Sequence, residues 1–484
     1  MTVPWAISAD AAPATGTGAD AGADLHLDLD LTGGGGVKAA LIRALRDAVH
    51  SGRLAPGTRL PSSRTLAVDL GLARNTVADA YSELVAEGRL SARQGSGTRV
   101  AQRTAAGPAS TQRAAPPRST AAHNLYPGSP DLSAFPRAAW LSAARKALAG
   151  APNEALGYGD PRGRVELRRA LADYLARARG VRTDPERIVV CSGFAQGISL
   201  LGRVLRQRGV EQLAAESYGL GFHRELVTAD GLRTVPLTVD RHGARTTELA
   251  AMPGTGAVLL TPAHQFPTGV PLRPDRRAAA VDWARAADAL VLEDDYDGEF
   301  RYDRQPIGAL QGLDPERVVY LGTASKSLAP GLRLGWMVLP GHLVDEVLAA
   351  KTSAERHPGA LDQLTLAEFI TSGAYDRHVR AMRLRYRRRR DRLVAALAER
   401  APSVQVSGIA AGLHAVLRLP PGTEQQALHG ASWLGLAVAG LDSFAYGRAA
   451  DAEAGAALVV GYGTPPEHGF SAALDALCQA LEVI

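Results

Sequence analysis

The stretch Gly322–Trp336, "GTASKSLAPGLRLGW", holds Lys326, one of four lysines in a 484-residue chain that carries 54 Lys and Arg together. The others are Lys38, Lys146 and Lys351. Arginine takes nearly every place where a plain positive charge would serve, so a retained lysine points to chemistry that arginine lacks. Arginine cannot lose its proton or form an imine. Lysine can, when its amine is desolvated or set near other positive charge. The preceding "RVVYLGTA" is an apolar run of strand length, so Lys326 stands just past the end of a buried strand. Arg333, further along the same stretch, is placed to hold a dianionic phosphate and to depress the amine's pKa. Thr323 and Ser325 add hydroxyl donors.

Around this stretch, "RIVVCSG" (187–193), "GAVLLTPAH" (256–264), "ALVLEDDY" (289–296) and "LGWMVLP" (334–340) read as further strands. Helical patterns such as "GISLLGRVLRQRG" (197–209) and "RPDRRAAAVDWARAA" (273–287) lie between them. The alternation predicts an α/β sheet, mostly parallel, with its site at the C-terminal ends of the strands. Asp294 falls where one strand runs out. A buried carboxylate there needs a cationic partner. A protonated pyridine nitrogen is such a partner, and the pairing makes the ring an electron sink. Tyr296 could donate to a ring hydroxyl. Taken alone, the motif favours Asp294 and Asp295 being solvated loop acids. "VVCSGFAQGISLL" gives a strand, Gly193 and a helix start, whose backbone N–H groups suit a phosphate.

The hydrophobic fraction is 46% and the charged fraction 21%, as in a soluble globular protein, and the length predicts two or three domains. Cys191 and Cys478 stand far apart, outside any metal-ligand spacing, which suggests a reducing compartment. The N-terminal residues lack a signal-peptide pattern, and no apolar run approaches the roughly 18 residues of a membrane span. The expectation is a cytoplasmic protein. Residues 1–24 have little to bury and read as disordered. Residues 101–123, with Pro108, Pro116 and Pro117, read as a linker. The expected folded parts are 25–100 and 124–484.

The first of these is basic: residues 31–100 hold ten Lys and Arg against five Asp and Glu, a footprint suited to nucleic acid. Val37, Leu41, Ile42, Leu45 and Val49 form one helical stripe. A short helix follows, ending near Gly71. Then comes a helix with Val77, Ala80, Tyr81, Leu84 and Val85 facing inward, and a hairpin with a Gly-Ser-Gly tip. Helix, short helix, turn, helix and hairpin make a winged helix-turn-helix.

"GRLAPGTRLPSSRTLAVDLGLARNTVADAYSELVAEGRLSARQGSGTRV" resembles the GntR-type winged helix over nearly its whole length. The resemblance implies that Ser63, Arg64, Arg74, Asn75, Thr76 and the wing residues Gly95, Gly97 and Thr98 face double-stranded DNA. Ala73 stands where a capping Ser is common, which costs about 1 kcal/mol of local helix stability. Residues 125–484, through "YGDPRG", "TPAHQFPTG", "EDDYDGEFRY" and "SKSLAPGLRLGW", resemble a fold-type I pyridoxal-phosphate enzyme of the aminotransferase family, with large and small subdomains. That resemblance makes Lys326 the Schiff-base lysine, Asp294 the partner of the pyridine nitrogen and Tyr296 that of the ring hydroxyl. It gives the phosphate to Gly193, Phe194, Ala195, Thr323 and Arg333, with Tyr158 reaching in from the other subunit of a homodimer, and Ser325 remains a further donor to the cofactor. His264 stands where ordinary aminotransferases carry Asn.

The two parts in one chain resemble the MocR family of bacterial transcriptional regulators. The function this implies is regulation through a cofactor-bound domain that senses pyridoxal phosphate or an amino compound. The alternative is a working aminotransferase with an accessory DNA-binding domain. Two departures stand out. The family's Glu-Asp-Pro-x-aromatic segment is "ESYGLGFHR" here, with Leu220 at the aromatic position, so either Tyr218 stacks on the ring or Leu220 packs on it. No arginine for a substrate carboxylate can be assigned; Arg418 and Arg448 remain only by default. The run "MRLRYRRRRDRL" (382–393) reads as a solvated helix face packed on the large domain rather than as a second DNA-binding element.

Overall fold

The computed structural model describes residues 29, 36–93, 97–101, 121–302, 308–354, 359–447, 455–482 and 484. The disordered N-terminus and most of the linker expected from sequence lie outside them. The chain divides into two compact units, Met1–Pro117 and Arg118–Ile484.

In the first unit, α1 (Gly36–His50), α2 (Ser63–Asp69) and α3 (Arg74–Ala86) precede the hairpin β1 (Leu90–Arg93) and β2 (Gly97–Val100). Leu41, Ile42, Leu45, Leu66, Val77, Ala80, Tyr81 and Leu84 pack into one core with Leu90 and Val100 from the hairpin. Val49 and Val85 are only partly buried against that core. Val37, expected on the stripe, sits in the first turn of α1 and is 38% exposed, outside the core. Ser62 caps α2 by accepting the Thr65 N–H at 3.1 Å. Ala73 stands at the cap of α3 and supplies no such bond. Leu60 N–H donates to Thr98 O at 2.9 Å, which ties the hairpin to the turn before α2.

The second unit is built on a seven-stranded sheet. Its strands are β3 (Ile188–Cys191), β4 (Gln212–Glu216), β5 (Arg233–Leu237), β6 (Thr255–Leu260), β7 (Leu290–Asp294), β8 (Val318–Thr323) and β9 (Gly335–Val338), in spatial order β3-β9-β8-β7-β6-β4-β5. Only β9 runs antiparallel to its neighbours β8 and β3. Two strands carry little sequence signal. β4 reads "QLAAE", whose alanines favour no strand, and β5 contains Pro236, which an edge strand tolerates. The helices that cover the sheet include α4 (Arg137–Gly150), α5 (Val165–Arg179), α6 (Phe194–Gln207), α7 (Gly221–Ala229), α8 (Pro274–Ala286), α9 (Val344–Ala354) and α10 (Ala360–Thr371).

The long helix α11 (Ala374–Arg400) leads into a smaller subdomain. There β10 (Gln405–Ser407), β11 (Ala415–Arg418), β12 (Ala439–Gly440) and β13 (Ala457–Val460) form a four-stranded sheet with α12 (Glu424–Trp433) and α13 (Glu467–Leu481). Met382, Tyr386 and Leu393 of the arginine-rich run are buried in this subdomain's core. The run is not wholly solvated: Arg389 is 1% exposed, and its guanidinium meets Asp131 at 2.9 Å and Glu467 at 2.8 Å.

Candidate functional site

Five parallel strands of the large unit end at one place. Gly193 follows β3, Glu216 ends β4, Thr261 follows β6, Asp294 ends β7 and Lys326 follows β8. Parallel strands present their C-terminal ends together, and the loops leaving them enclose the space above. That space is a cavity of about 250 Å³. Its walls include Lys326, Asp294, Tyr296, Thr323, Ser325, Arg333, Phe194, Ala195 and Tyr218, nine of the twelve residues expected from sequence.

The other three lie outside the wall. Gly193 caps α6 at φ 87°, and a Cβ there would stand 3.2 Å from the Arg333 guanidinium, so only glycine fits. His264 is buried beside the cavity, with Nδ1 2.8 Å from Asp297 Oδ2 and 3.1 Å from the Tyr296 hydroxyl. Tyr158 is 94% exposed and does not line this chain's own cavity.

The acids of "EDDYDGEFRY" are all buried, so neither Asp294 nor Asp295 is a solvated loop acid. Glu293 accepts the Leu310 and Gln311 N–H groups at 2.7 and 2.9 Å. Asp295 takes a two-point salt bridge from Arg179 at 2.6 and 2.9 Å. Asp297 holds His264, and Glu299 accepts the Tyr375 hydroxyl at 3.3 Å. Asp294 alone has no hydrogen bond or ion pair among the described residues, although it is only 6% exposed. Burial drives its pKa well above the usual range, and Lys326 across the cavity partly offsets that. An unpartnered buried carboxyl facing a cavity suits a cationic ring nitrogen.

Lys326 is half-buried by surface, but its open side is the cavity itself. Its Nζ donates to the Gly128 carbonyl. Burial lowers its pKa, while Asp294 and Asp297 oppose the shift. Desolvation, rather than the expected charge of Arg333, therefore does the depressing. Arg333 stands at the mouth of the cavity in the left-handed region (φ 52°) and donates to the Ser192 carbonyl. A non-glycine residue there is strained, and such positions cluster at binding sites. Thr323 Oγ1 lies 2.8 Å from Ser325 Oγ and accepts the Ser325 N–H at 3.1 Å. With Phe194 and Ala195 opening α6, this corner gathers hydroxyls, backbone N–H groups and a guanidinium, a donor set that fits a phosphate.

The cavity also holds residues that motif reading missed: Glu216, His223, Arg224, Phe266 and His414. Glu216 accepts from the Thr261 N–H and from the Gln265 amide, both at 3.2 Å, and burial pushes its pKa to about 7. His223 packs its ring 4.4 Å from that of Phe194, and burial brings its pKa down to about 3. The segment with Leu220 in place of an aromatic thus lines the wall with Tyr218, Leu220, Phe222 and His223 together. Arg418 lies on a separate cleft and Arg448 outside the described residues, so neither default arginine reaches this cavity.

In the first unit Arg64, Arg74 and Asn75 are exposed, and Ser63, Thr76 and Thr98 are partly so. Arg74 and Asn75 open α3, and Ser63 and Arg64 open α2. Gly97 has φ 80°, and a Cβ there would stand 3.2 Å from Arg59 Nε. Gly95 lies outside the described residues.

Residues 38–100 match the bacterial regulatory proteins of the gntR family, and residues 123–430 match aminotransferase class I and II, a domain type that typically binds pyridoxal phosphate. The pyridoxine biosynthesis transcriptional regulator PdxR of Corynebacterium glutamicum is 35% identical over 387 residues, covering 79% of this chain and 83% of that protein. The chain belongs to the MocR family of GntR-type regulators. A second member, the probable rhizopine catabolism regulatory protein MocR of Rhizobium meliloti, is 35% identical over 73% of this chain and 76% of its own length. The aminotransferase-like part of this MocR-type chain superposes on kynurenine aminotransferase of Pyrococcus horikoshii with a TM-score of 0.66 and 25% identity, over 74% of this chain and 90% of that one. Among the described residues, no helix is long and apolar enough to cross a membrane.

Proposed function

We propose that this regulator holds pyridoxal 5'-phosphate in the strand-end cavity and that the cofactor, or an amino compound joined to it, sets the DNA-binding state of a homodimer in the cytoplasm. Asp294 carries this reading: among the buried acids of its motif it alone lacks a partner, and it faces the cavity. In this reading Lys326 supplies the amine, its pKa lowered by burial, and Asp294 holds the ring nitrogen's proton. Tyr296, with His264 behind it, orients the ring hydroxyl. The opening N–H groups of α6, Thr323, Ser325 and Arg333 hold the phosphate. When bound, the cofactor supplies an aldehyde that exchanges imines with amines. Tyr158, 94% exposed, is available to the neighbouring subunit's cavity.

On the DNA side, Arg74, Asn75 and Thr76 read or clamp the major groove from the start of α3. Ser63 and Arg64 hold the backbone, and Gly95, Gly97 and Thr98 bring the wing close. A ligand switches such a protein only through its difference in affinity for the two states, and a few kcal/mol suffices. The test is footprinting on the chain's own upstream DNA with and without pyridoxal phosphate and a panel of amines. Equal protection by wild type and Lys326→Ala under every condition would sink the switching role. Sustained turnover of an amino acid with a keto acid would favour the aminotransferase reading instead.

A further inference from the structure

Lys326 does not sit in a regular element. It lies in the turn that follows β8, between Ala324 and Leu328. A lysine amine rides on a flexible four-carbon stem, so its aim depends on how firmly the backbone beneath it is held. The next residue, Ser327, is 3% exposed and is held at two points. Its hydroxyl oxygen lies 2.8 Å from that of Tyr375, and its carbonyl accepts from His378 Nε2 at 2.8 Å. A carbonyl only accepts, so His378 carries a proton on Nε2. Tyr375 and His378 stand one turn apart at the start of α11. Tyr375 is 1% exposed, and its ring meets that of Tyr174 edge-on with centroids 5.1 Å apart.

The same side of α11 also holds the acid motif. Glu299, which follows Asp294 in that motif, lies 3.3 Å from the Tyr375 hydroxyl. Its carbonyl accepts from Arg383 Nε at 2.9 Å and Nη2 at 2.6 Å. Arg383 stands about two turns past Tyr375. One helix thus grips both the turn that carries Lys326 and the loop that begins at Asp294. In the cofactor reading these two groups meet opposite ends of one ring, so the distance between them matters. Neither Tyr375 nor His378 lines the cavity, so neither adds a contact to what binds there.

We infer that Tyr375 and His378 are positioning residues: through Ser327 they aim the Lys326 amine at a ring whose place is set by Asp294. The inference rests on the cofactor reading above. It is tested on the full chain by measuring dissociation constants for pyridoxal phosphate and for pyridoxamine phosphate. The first can join its aldehyde carbon to Lys326 Nζ, forming a C=N bond and releasing one water. The second offers the same ring and phosphate but no aldehyde. The ratio of the two constants therefore reads the placing of the lysine, and a general loosening of the cavity cancels. Wild type binds pyridoxal phosphate about tenfold or more tighter than pyridoxamine phosphate. Tyr375→Phe and His378→Leu each lower that preference about fivefold, whereas His378→Gln, whose amide keeps a donor, stays within about twofold of wild type. Tyr375→Phe combined with Ser327→Ala loses no more than the larger single change, because both remove one contact. If Tyr375→Phe does not fold, the two His378 variants carry the test. An unchanged preference in Tyr375→Phe or in His378→Leu removes that residue from the assignment, and unchanged preference in both overturns it. A wild type that binds pyridoxal phosphate no better than pyridoxamine phosphate overturns the cofactor reading itself, which is a different failure.

Discussion

The two units place their charges in opposite ways. In the winged helix unit, Arg64 and Arg74 point to solvent, and a salt bridge such as Lys38 to Glu83 lies on the surface. In the aminotransferase-like unit, Glu216, Glu293, Asp294, Asp295, Asp297 and Glu299 are buried, and Arg179 is buried with them, paired to Asp295. Exposed guanidines meet a polyanion with little desolvation cost, at long range and with strong salt dependence. Buried charges are costly and must be matched one to one. A mismatch there is therefore informative, whereas an unpaired arginine on a surface is not. Asp294 is such a mismatch among the acids of its motif, and it faces the cavity.

The contrast can be broken most sharply at Lys326. Lys326→Arg keeps the charge and loses the chemistry, so the visible band that pyridoxal phosphate gives with wild type is expected to vanish entirely; a band that persists after dialysis would show that charge was all the position needed. On the exposed side, Arg64→Ala and Arg74→Ala should each weaken operator binding roughly 10- to 100-fold and lower the slope of log affinity against log salt by about one. Electrophoretic shifts at several salt concentrations read both, and an unchanged slope would remove that residue from the phosphate contacts.

A buried acid offers a smaller test. The folded pKa of Glu216, about 7, is above its unfolded value of 4.5. Its protonated form contributes stability that is fully present below about pH 4.5 and lost as pH rises through about 7. Glu216→Gln should therefore gain on wild type by something on the order of 2 kcal/mol between pH 5 and 8. Denaturant melts at the two pH values measure it, and a constant difference would mean that Glu216 titrates normally. The smallest effect belongs to the exposed unit. Ala73→Ser restores a cap that α3 lacks and should stabilise the winged helix by about 0.5–1 kcal/mol, seen as a raised melting temperature with DNA contacts intact.

Much of this was legible in the chain. Apolar runs marked β3 and β6 to β9, and the turn residues and helical stripe marked the winged helix. A lone lysine in an arginine-rich sequence marked the centre of the site. β4 was not legible, because "QLAAE" becomes a strand only through pairing with β5 and β6. Val37 was misread because a periodic stripe says which face a residue shares, not how far the core extends along that face.

Sequence by itself determined the order of the units and the residue types able to form an imine, hold a phosphate or meet DNA, since these follow from local pattern and side-chain chemistry. Only the tertiary structure decided which charges are matched. Glu293, Asp294 and Asp295 are consecutive, yet one takes backbone N–H groups, one takes an arginine from α5 and one takes nothing. Arg224 lies far along the chain from Lys326 and shares its cavity. Pairing is set by distances across the fold, and no local pattern encodes them.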